Sequence, residues 1–512
     1  MDQKTIDELE AKRQRALAMG TPERIARLRA QGKLTARERL DLLLDTGSFC
    51  ELGLHAQSQL PELRDRTPAD GMIVGSGRIE GRLVYVTADD ATVLAGTRGR
   101  VAELKGARAR EMALRDRAPY IALMEAGAAR VQETYGAIAA GLGNRFASHY
   151  GLSGRIPQIA AVMGATFGGP SFTALQSDFV PIVEGSGFLG MSGPPVVKVG
   201  IGLDVTSEEL GGGKISTQET GQAHYLAPNE ADCMATIRRF LSFMPSSCWE
   251  APPHVPPRPA PCDSEEGRRE LVALVPENHR RAYDMLRLIQ LLVDGGDFFQ
   301  IQQEFGRSLI VGFARIEGQT VGVIANQPMR LAGTIDPKSV RKARRFVDLC
   351  DAFHIPLVSL MDCPGFLVGP DVERQSMVSL TTRMLTSMIQ ATVPIVTIVI
   401  RKAIGLAYIA LGGRAVGPDT LVAWPTARFD VMGPDAGIEL IHGKSIREAA
   451  DPAALRAEIA RKFELESSAY VAAGLGHIDD VIAPTETRRV IIDTLARRRG
   501  KQELGWKHRI DP

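Results

Sequence analysis

Short apolar runs alternate with longer amphipathic stretches along most of the chain, and the alternation occurs twice. IVGSGRIEGRLVYVTA, residues 73–88, reads as two short strands joined by a Glu-Gly turn. From Arg100, RVAELKGARAREMALRDR sets apolar residues three and four apart, which predicts a helix. YIALME (120–125) and QIAAVM (158–163) are continuous apolar runs, as expected of strands covered on both faces. The pattern then returns: IVGFARIEG (310–318) repeats IVGSGRIEG (73–81) at an offset of 237 residues, from 73 to 310. Val358–Asp362 (VSLMD) stands opposite Ile121–Glu125 (IALME) at the same offset, and Val393-Pro394 opposite Ile156-Pro157. RKAIGLAYI (401–409) stands opposite GATFGGPSF (164–172), and the helical run Lys338–Phe353 opposite the one at Arg100. Four blocks in one register over about ninety residues mark an internal duplication.

The strand–helix–strand order predicts an α/β fold, a parallel sheet flanked by helices, built twice. Between the copies lies PSSCWEAPPHVPPRPAP (245–261), with seven prolines in seventeen residues. Such a segment is stiff and extended, so the domain boundary is placed there. Residues 1–44 precede the first copy and read as amphipathic helices with a basic surface.

Composition narrows the class. At 512 residues the chain holds several domains or two large ones. Hydrophobic residues at 44% and charged residues at 24% are those of a globular protein without long disorder. A net charge of +1 gives no overall case for nucleic acid or an anionic membrane. The N-terminus lacks the apolar run of a secretory signal. The longest apolar window, Val393–Leu411, is broken by Arg401 and Lys402, so no transmembrane span is expected. The six cysteines contain no C-x-x-C pair, which argues against a zinc ribbon or a disulfide framework. The expectation is a cytoplasmic protein with reduced thiols.

In parallel α/β units, ligands bind at the C-terminal ends of strands, where helix N-termini offer free N–H groups. In the first copy that turn is Thr166-Phe167-Gly168-Gly169-Pro170; in the second it is Ala403-Ile404-Gly405-Leu406-Ala407. Glycine admits backbone amides close to a ligand. Two amides aimed at one oxygen would stabilise an enolate or a tetrahedral anion. The same glycines could serve only close helix–strand packing; the recurrence of the turn in both copies favours the anion-binding reading. Other motifs fail. GSGFLG (185–190) fits G-x-G-x-x-G, but Pro194-Pro195 follow where a helix should start. GGGKIS (211–216) lacks the Walker spacing, and no H-E-x-x-H or G-x-S-x-G occurs. The nine histidines are scattered. Asp89 and Asp90, like Glu208 and Glu209, read as solvated loop charges. No nucleophile, metal site or general base stands out, while anion-stabilising amides do, twice.

Longer motifs carry a resemblance. GKLTARERLDLLLDTGSFCELG (32–53), AGAARVQE (126–133), TSEELGGG (206–213), ANQPMRLAGTID (325–336), KARRFVDLCDAFHIPLVSLMDCPGF (342–366) and AWPTARFDVMGPDAG (423–437) resemble the β subunits of propionyl-CoA and related acyl-CoA carboxylases. The resemblance runs from about residue 30 to the C-terminus. It implies two tandem crotonase-like domains, an N-terminal one over 1–250 that takes acyl-CoA and a C-terminal one over 262–512 that faces biotin, with 245–261 as linker. It implies a homo-hexamer, a dimer of trimers, whose active site lies where the N-domain of one subunit meets the C-domain of another. By the resemblance, Gly168 and Gly169 hold the thioester oxygen as the enolate forms, and Leu406 and Ala407, after Gly405, face the ureido oxygen of biotin. Gly405, Tyr408, Ile409 and Phe167 are the implied substrate-binding residues. Carboxybiotin would arrive on a separate carrier protein, because the chain holds no A/M-K-M biotinylation site and no P-loop. A biotin carboxylase and carrier (α) subunit is therefore the implied partner, with no nucleic acid, membrane or metal. Biotin would also supply the base, consistent with none being found. Where relatives read KAYGGAY this chain reads KAIGLAY (402–408); SGGARIQEG becomes AGAARVQET and PGFLPG becomes PGFLVG. Ile409, beside the implied acyl pocket, suits an apolar acyl chain. A decarboxylase or transcarboxylase running the same half-reaction backwards, or a non-catalytic assembly subunit, are the alternatives.

Overall fold

Seven strands of the first repeat form one sheet. They are β1 (Cys50–Glu51), β2 (Met72–Ile79), β3 (Arg82–Asp89), β4 (Tyr120–Met124), β5 (Gln158–Val162), β7 (Pro181–Val183) and β9 (Tyr225–Ala227), hydrogen-bonded in that order. The β1–β2–β3 edge is antiparallel and the rest parallel. The short strands β6 (Ala165–Phe167) and β8 (Phe188–Gly190) pair in parallel apart from it. The second repeat has β10 (Phe298–Ile301), β11 (Leu309–Ile316), β12 (Gln319–Asn326), β13 (Leu357–Cys363), β14 (Ile395–Ile404), β15 (Thr420–Ala423) and β17 (Asp480–Val481) in the same arrangement. Here β16 (Arg428–Asp430) pairs with the end of β14. The computed structural model describes residues 2–512. It divides into one unit that ends at Ala251 and includes Leu504–Pro512, and a second unit, Pro252–Glu503.

The apolar runs became the central strands because both faces are covered. Every residue of β4, β5 and β13 is buried. The helices Arg100–Arg115 and Pro337–Ala352 occupy equivalent places, as their three-and-four spacing requires. Each carries a buried lysine on its inner face, Lys105 and Lys342, again 237 residues apart. Lys105 Nζ donates to the carbonyls of Ala69 (3.0 Å) and Met72 (2.8 Å), and Lys342 Nζ to that of Phe305 (2.5 Å). Each lysine thus gives a hydrogen bond to carbonyls at a loop or a strand end, Ala69 and Met72 in the first unit and Phe305 in the second.

The Glu-Gly turns are tight two-residue hairpins. Glu80 and Gly81 have φ of 52° and 78°, Glu317 and Gly318 of 50° and 71°, the left-handed pair that matches strand twist. An aspartate accepts both amides of each turn. Asp45 takes Glu80 N (3.1 Å) and Gly81 N (2.8 Å), and Asp294 takes Glu317 N (3.1 Å) and Gly318 N (2.8 Å). An arginine then pairs with each carboxylate, Arg238 with Asp45 (3.4 Å) and Arg488 with Asp294 (2.7 Å).

Several expectations need correction. The second domain does not extend to residue 512. Trp506 Nε1 donates to Ser153 O (3.2 Å) and Ile510 N to Ser153 Oγ (2.8 Å), so Leu504–Pro512 belong to the first unit. The Pro-rich segment is not a free linker either: Val255 N donates to Gly318 O (3.0 Å), and residues from Pro252 on join the second unit. Prolines forbid a ladder within the segment but leave its carbonyls and remaining amides available. A helix does follow GSGFLG: Pro194–Ile201, with its prolines in the first turn, where no N–H is needed. Asp89 and Asp90 are buried rather than solvated, at 2% and 3% exposure. Glu208 and Glu209 are exposed, and Glu209 closes a capping box with Thr206.

Among the described residues no helix is long and apolar enough to cross a membrane. The Asp294–Arg488 pair gives a first test. Both side chains are buried, so Asp294→Ala should lower stability by about 3 kcal/mol, because it removes the buried carboxylate nearest Arg488 and the acceptor of two turn amides. Asp45→Ala should cost less, its pair being about one-third exposed (29% and 32%). Urea denaturation of both variants checks the order; equal midpoints would refute it.

Candidate active site

Both glycine turns sit where the repeat places them. In the first unit β6 ends at Phe167, Gly168 turns the chain at φ 64°, ψ −136°, and a helix runs over Gly169–Leu175. In the second unit β14 runs straight into the helix Gly405–Ala410, with Gly405 at φ 64°. That backbone conformation is why glycine occupies both positions. A Cβ would lie 3.3 Å from the Ala128 methyl at 168 and 3.1 Å from Val431 O at 405.

The amides differ between the turns. Gly168 N donates to Met191 O (3.1 Å), so that N–H already has an acceptor. Gly169 N lies in the first helical turn, where no preceding carbonyl can reach it. A side chain at 169 would collide with the guanidinium of Arg145. In the second unit Leu406 and Ala407 occupy the first helical turn, so their amides also lack intrahelical acceptors. The Leu406 side chain is 69% exposed, whereas Ala407 is fully buried. Leu406 therefore leaves its own amide in place and adds an apolar side chain at the surface.

Of the other sequence-derived candidates, Phe167 packs against Phe188 (6.2 Å between centroids) and fills the space that Gly127 and Gly193 leave open. The Tyr408 hydroxyl accepts Arg414 N (3.1 Å) and its ring stands edge-on to Phe429, so it braces the turn that follows its helix. Ile409 is half-buried on the same helix.

Sequence reasoning missed three features. The word LAGT occurs at 94–97 and 331–334, at the repeat offset, and could have been found. In both copies its Leu and Ala hold left-handed backbone: φ is 45° and 55° at Leu94 and Ala95, 47° and 53° at Leu331 and Ala332. Strained non-glycine residues cost of order 1–3 kcal/mol each and cluster at functional sites. The first LAGT turn lies beside the glycine turn, since Gly127 bridges Phe167 and approaches Ala95 O. The second is tied to β14 by Lys402 Nζ, which reaches Ala332 O (3.4 Å).

The second missed feature is a buried acid at the C-terminal end of each central strand. Glu125 follows β4 and pairs with Lys33 and with Arg39 (2.6 Å), which also holds Glu230 (2.6 Å). Its equivalent Asp362 pairs with Arg401 (2.9 Å) and Lys402 (3.4 Å). The third is a cluster of arginines near the first turn: Arg98, held bidentately by Asp89 (3.0 and 2.8 Å), Arg110, and Arg145, paired with Glu103. Within it His149 is buried against Ser177 (3.1 Å). Burial first, then Arg110 and Arg98, hold its pKa down to about 3. Among the described residues no group of three or more His, Cys, Asp or Glu is placed to hold a metal ion.

The carboxyl transferase domain family matches residues 27–510. This chain belongs to the carboxyl transferase family. A propionyl-CoA carboxylase beta chain from Roseobacter denitrificans is 39% identical over 506 residues, covering 98% of each chain. A methylmalonyl-CoA decarboxylase subunit alpha from Propionigenium modestum is 36% identical over 506 residues, covering 98% of this chain and 97% of the relative. The crystal structure of transcarboxylase 12S, with methylmalonyl-coenzyme A bound, superposes with a TM-score of 0.92 at 35% identity, covering 99% of this chain and 98% of that one. The carboxyltransferase fold, two crotonase-like units in tandem, is thus the one that the family resemblance implies, and its duplicated α/β plan is the one expected from the repeat.

The second glycine turn and the buried histidine each generate a test. Gly405→Ala should destabilise the protein by about 1–3 kcal/mol, because alanine must adopt the left-handed turn. Leu406→Ala, at an exposed position, should stay within about 0.5 kcal/mol of the parent in the same denaturation experiment. For His149, the unfolded imidazole takes a proton near pH 6.5 while the folded one stays neutral down to about 3. Stability is therefore lost as pH falls through that window. His149→Gln should flatten the fall of the urea midpoint between pH 6.5 and 4; an unchanged slope would contradict it.

Proposed function

We propose that this chain is the carboxyltransferase subunit of a biotin-dependent acyl-CoA carboxylase, moving CO2 from carboxybiotin to the α-carbon of an acyl-CoA. The observation that carries the reading is the duplicated turn: a parallel strand, a left-handed glycine and a short helix whose first amides are open, in both units. Such amides stabilise an oxyanion without a side-chain nucleophile. In the first unit Gly169 N–H would donate to the thioester oxygen as it becomes an enolate, with Gly168 N–H contributing if its bond to Met191 O gives way. In the second unit Leu406 N and Ala407 N would hold the ureido oxygen, and the exposed Leu406 side chain would lie along the ring. Carboxybiotin, delivered on a separate carrier, supplies both the CO2 and the base. The chain's own task is to hold two anions in turn and keep water away from the enolate.

The partner in this reading is a biotin carboxylase and carrier subunit, in the cytoplasm. The transcarboxylase 12S structure is described as a hexamer assembly. We extend that assembly, as a dimer of trimers, to this chain. The decarboxylase among the relatives favours one second reading, the same half-reaction run toward CO2 release.

Reconstitution with a cognate biotin subunit, ATP and bicarbonate, across a panel of acyl-CoAs, tests the proposal. Biotin-dependent carboxylation is expected, and Gly168→Val should lower kcat/KM at least about 100-fold with assembly size unchanged. Absence of biotin-dependent turnover on every thioester, or full activity in the variant, would overturn it.

A further inference from the structure

A cavity of about 450 Å3 lies in the first unit, between the helix Arg100–Arg115 and the helix Asn144–Tyr150. Four arginines line it, Arg98, Arg100, Arg110 and Arg145, against two glutamates, Glu103 and Glu111. Two of the cations are committed elsewhere: Arg98 to Asp89 (2.8 Å) and Arg145 to Glu103. Arg100 and Glu111 are exposed, so solvent screens them. Arg110 is different. It is 5% exposed, and the one polar contact it makes among the described residues is from Nε to Ser148 Oγ (3.1 Å). Its two terminal nitrogens make no ion pair among the described residues, since of the two glutamates in the lining Glu103 is paired with Arg145 and Glu111 is exposed. A buried guanidinium lacking a counter-charge is costly, and an anion in the cavity would complete it. Nearby His149 registers the same excess of positive charge.

The cavity adjoins the active-site turn. Arg145 lines it and at the same time presses its guanidinium against Gly169. A thioester held at Gly169 would therefore have its acyl chain beginning at the cavity, whereas the pantetheine arm carries the CoA phosphates away from the thioester. We propose that the cavity binds the anionic end of the substrate's acyl group, so that the thioester this chain works on carries a terminal carboxylate. This rests on the acyl-CoA reading above and sharpens it. It also runs against Ile409, whose apolar side chain suggests an apolar acyl group.

Binding to the purified full-length chain is measured by calorimetry with two thioesters of equal chain length, glutaryl-CoA and pentanoyl-CoA. Glutaryl-CoA should bind about tenfold tighter or more, the worth of a charge-assisted hydrogen bond. Arg110→Met should abolish that preference while leaving pentanoyl-CoA affinity unchanged. Arg110→Lys, which keeps the charge should the methionine variant fail to fold, should retain part of it. Equal binding of the two thioesters by the parent, or a preference that survives in Arg110→Met, would overturn the proposal. A third arm uses the dephospho form of pentanoyl-CoA. If Arg110→Met weakens pentanoyl-CoA but not its dephospho form, the anion in the cavity is a CoA phosphate, and the acyl assignment is wrong. Failure of every thioester to bind would instead sink the acyl-CoA reading itself.

Discussion

A carboxylate buried at the C-terminal end of a central strand needs a cation, and the two units meet that need from different parts of the chain. Taking a carboxylate out of water costs several kcal/mol unless a paired, hydrogen-bonded partner offsets it. In the second unit the partners come from the neighbouring strand: Arg401 and Lys402 lie on β14 itself, and Arg401 also stacks over Tyr283 (4.7 Å). In the first unit the equivalent positions are Gly164 and Ala165, and a side chain at 164 would strike Glu125. The longer Glu125 instead reaches Lys33 and Arg39. The helix Ala36–Leu43, outside the repeat, is thereby bound into the first unit through charge, with Arg39 joining Glu125 to Glu230.

That difference propagates to the sites. Each acid sits at the end of β4 or β13, whose neighbours β5 and β14 lead toward the glycine turns, so its counter-ions shape what surrounds the turn. Around the second turn, Lys402 spans from Asp362 to the LAGT carbonyl of Ala332, which fixes the strained loop to the strand. Around the first turn no lysine stands at that position, and positive charge is supplied from the other side by Arg145, next to Gly169. A duplicated frame thus carries two equivalent turns in differently charged surroundings, the two anion sites of the proposed reaction. A reaction that must stabilise two different oxyanions, one on a thioester and one on a ureido group, calls for such inequivalence.

Much of this was legible in the chain because duplication preserves register. Strands, helices and both glycine turns fall at a single offset, and the Glu-Gly hairpins follow from residues that tolerate left-handed backbone. What was not legible depends on changes of register or on burial. Asp45 and Asp294 do the same work but lie 249 residues apart rather than 237, so a fixed-offset comparison passes over them. Asp89 looked like a loop charge because nothing local reveals that Arg98, nine residues on, folds back to hold it. Arg110 and Arg145 look like ordinary surface cations on amphipathic segments; only packing shows them turned inward. The tail at Leu504–Pro512 carries no motif, and its place in the first unit is fixed by hydrogen bonds to Ser153, from the Trp506 indole to its carbonyl and from Ile510 N to its hydroxyl.

The central claim is that the two units hold different ligands at equivalent turns. A crystal structure of the chain soaked with an acyl-CoA and with biotin tests it most directly. The account places the thioester oxygen within hydrogen-bonding distance of Gly169 N and the biotin ureido oxygen against Leu406 N and Ala407 N. A thioester found at Leu406, or biotin at Gly169, would contradict it.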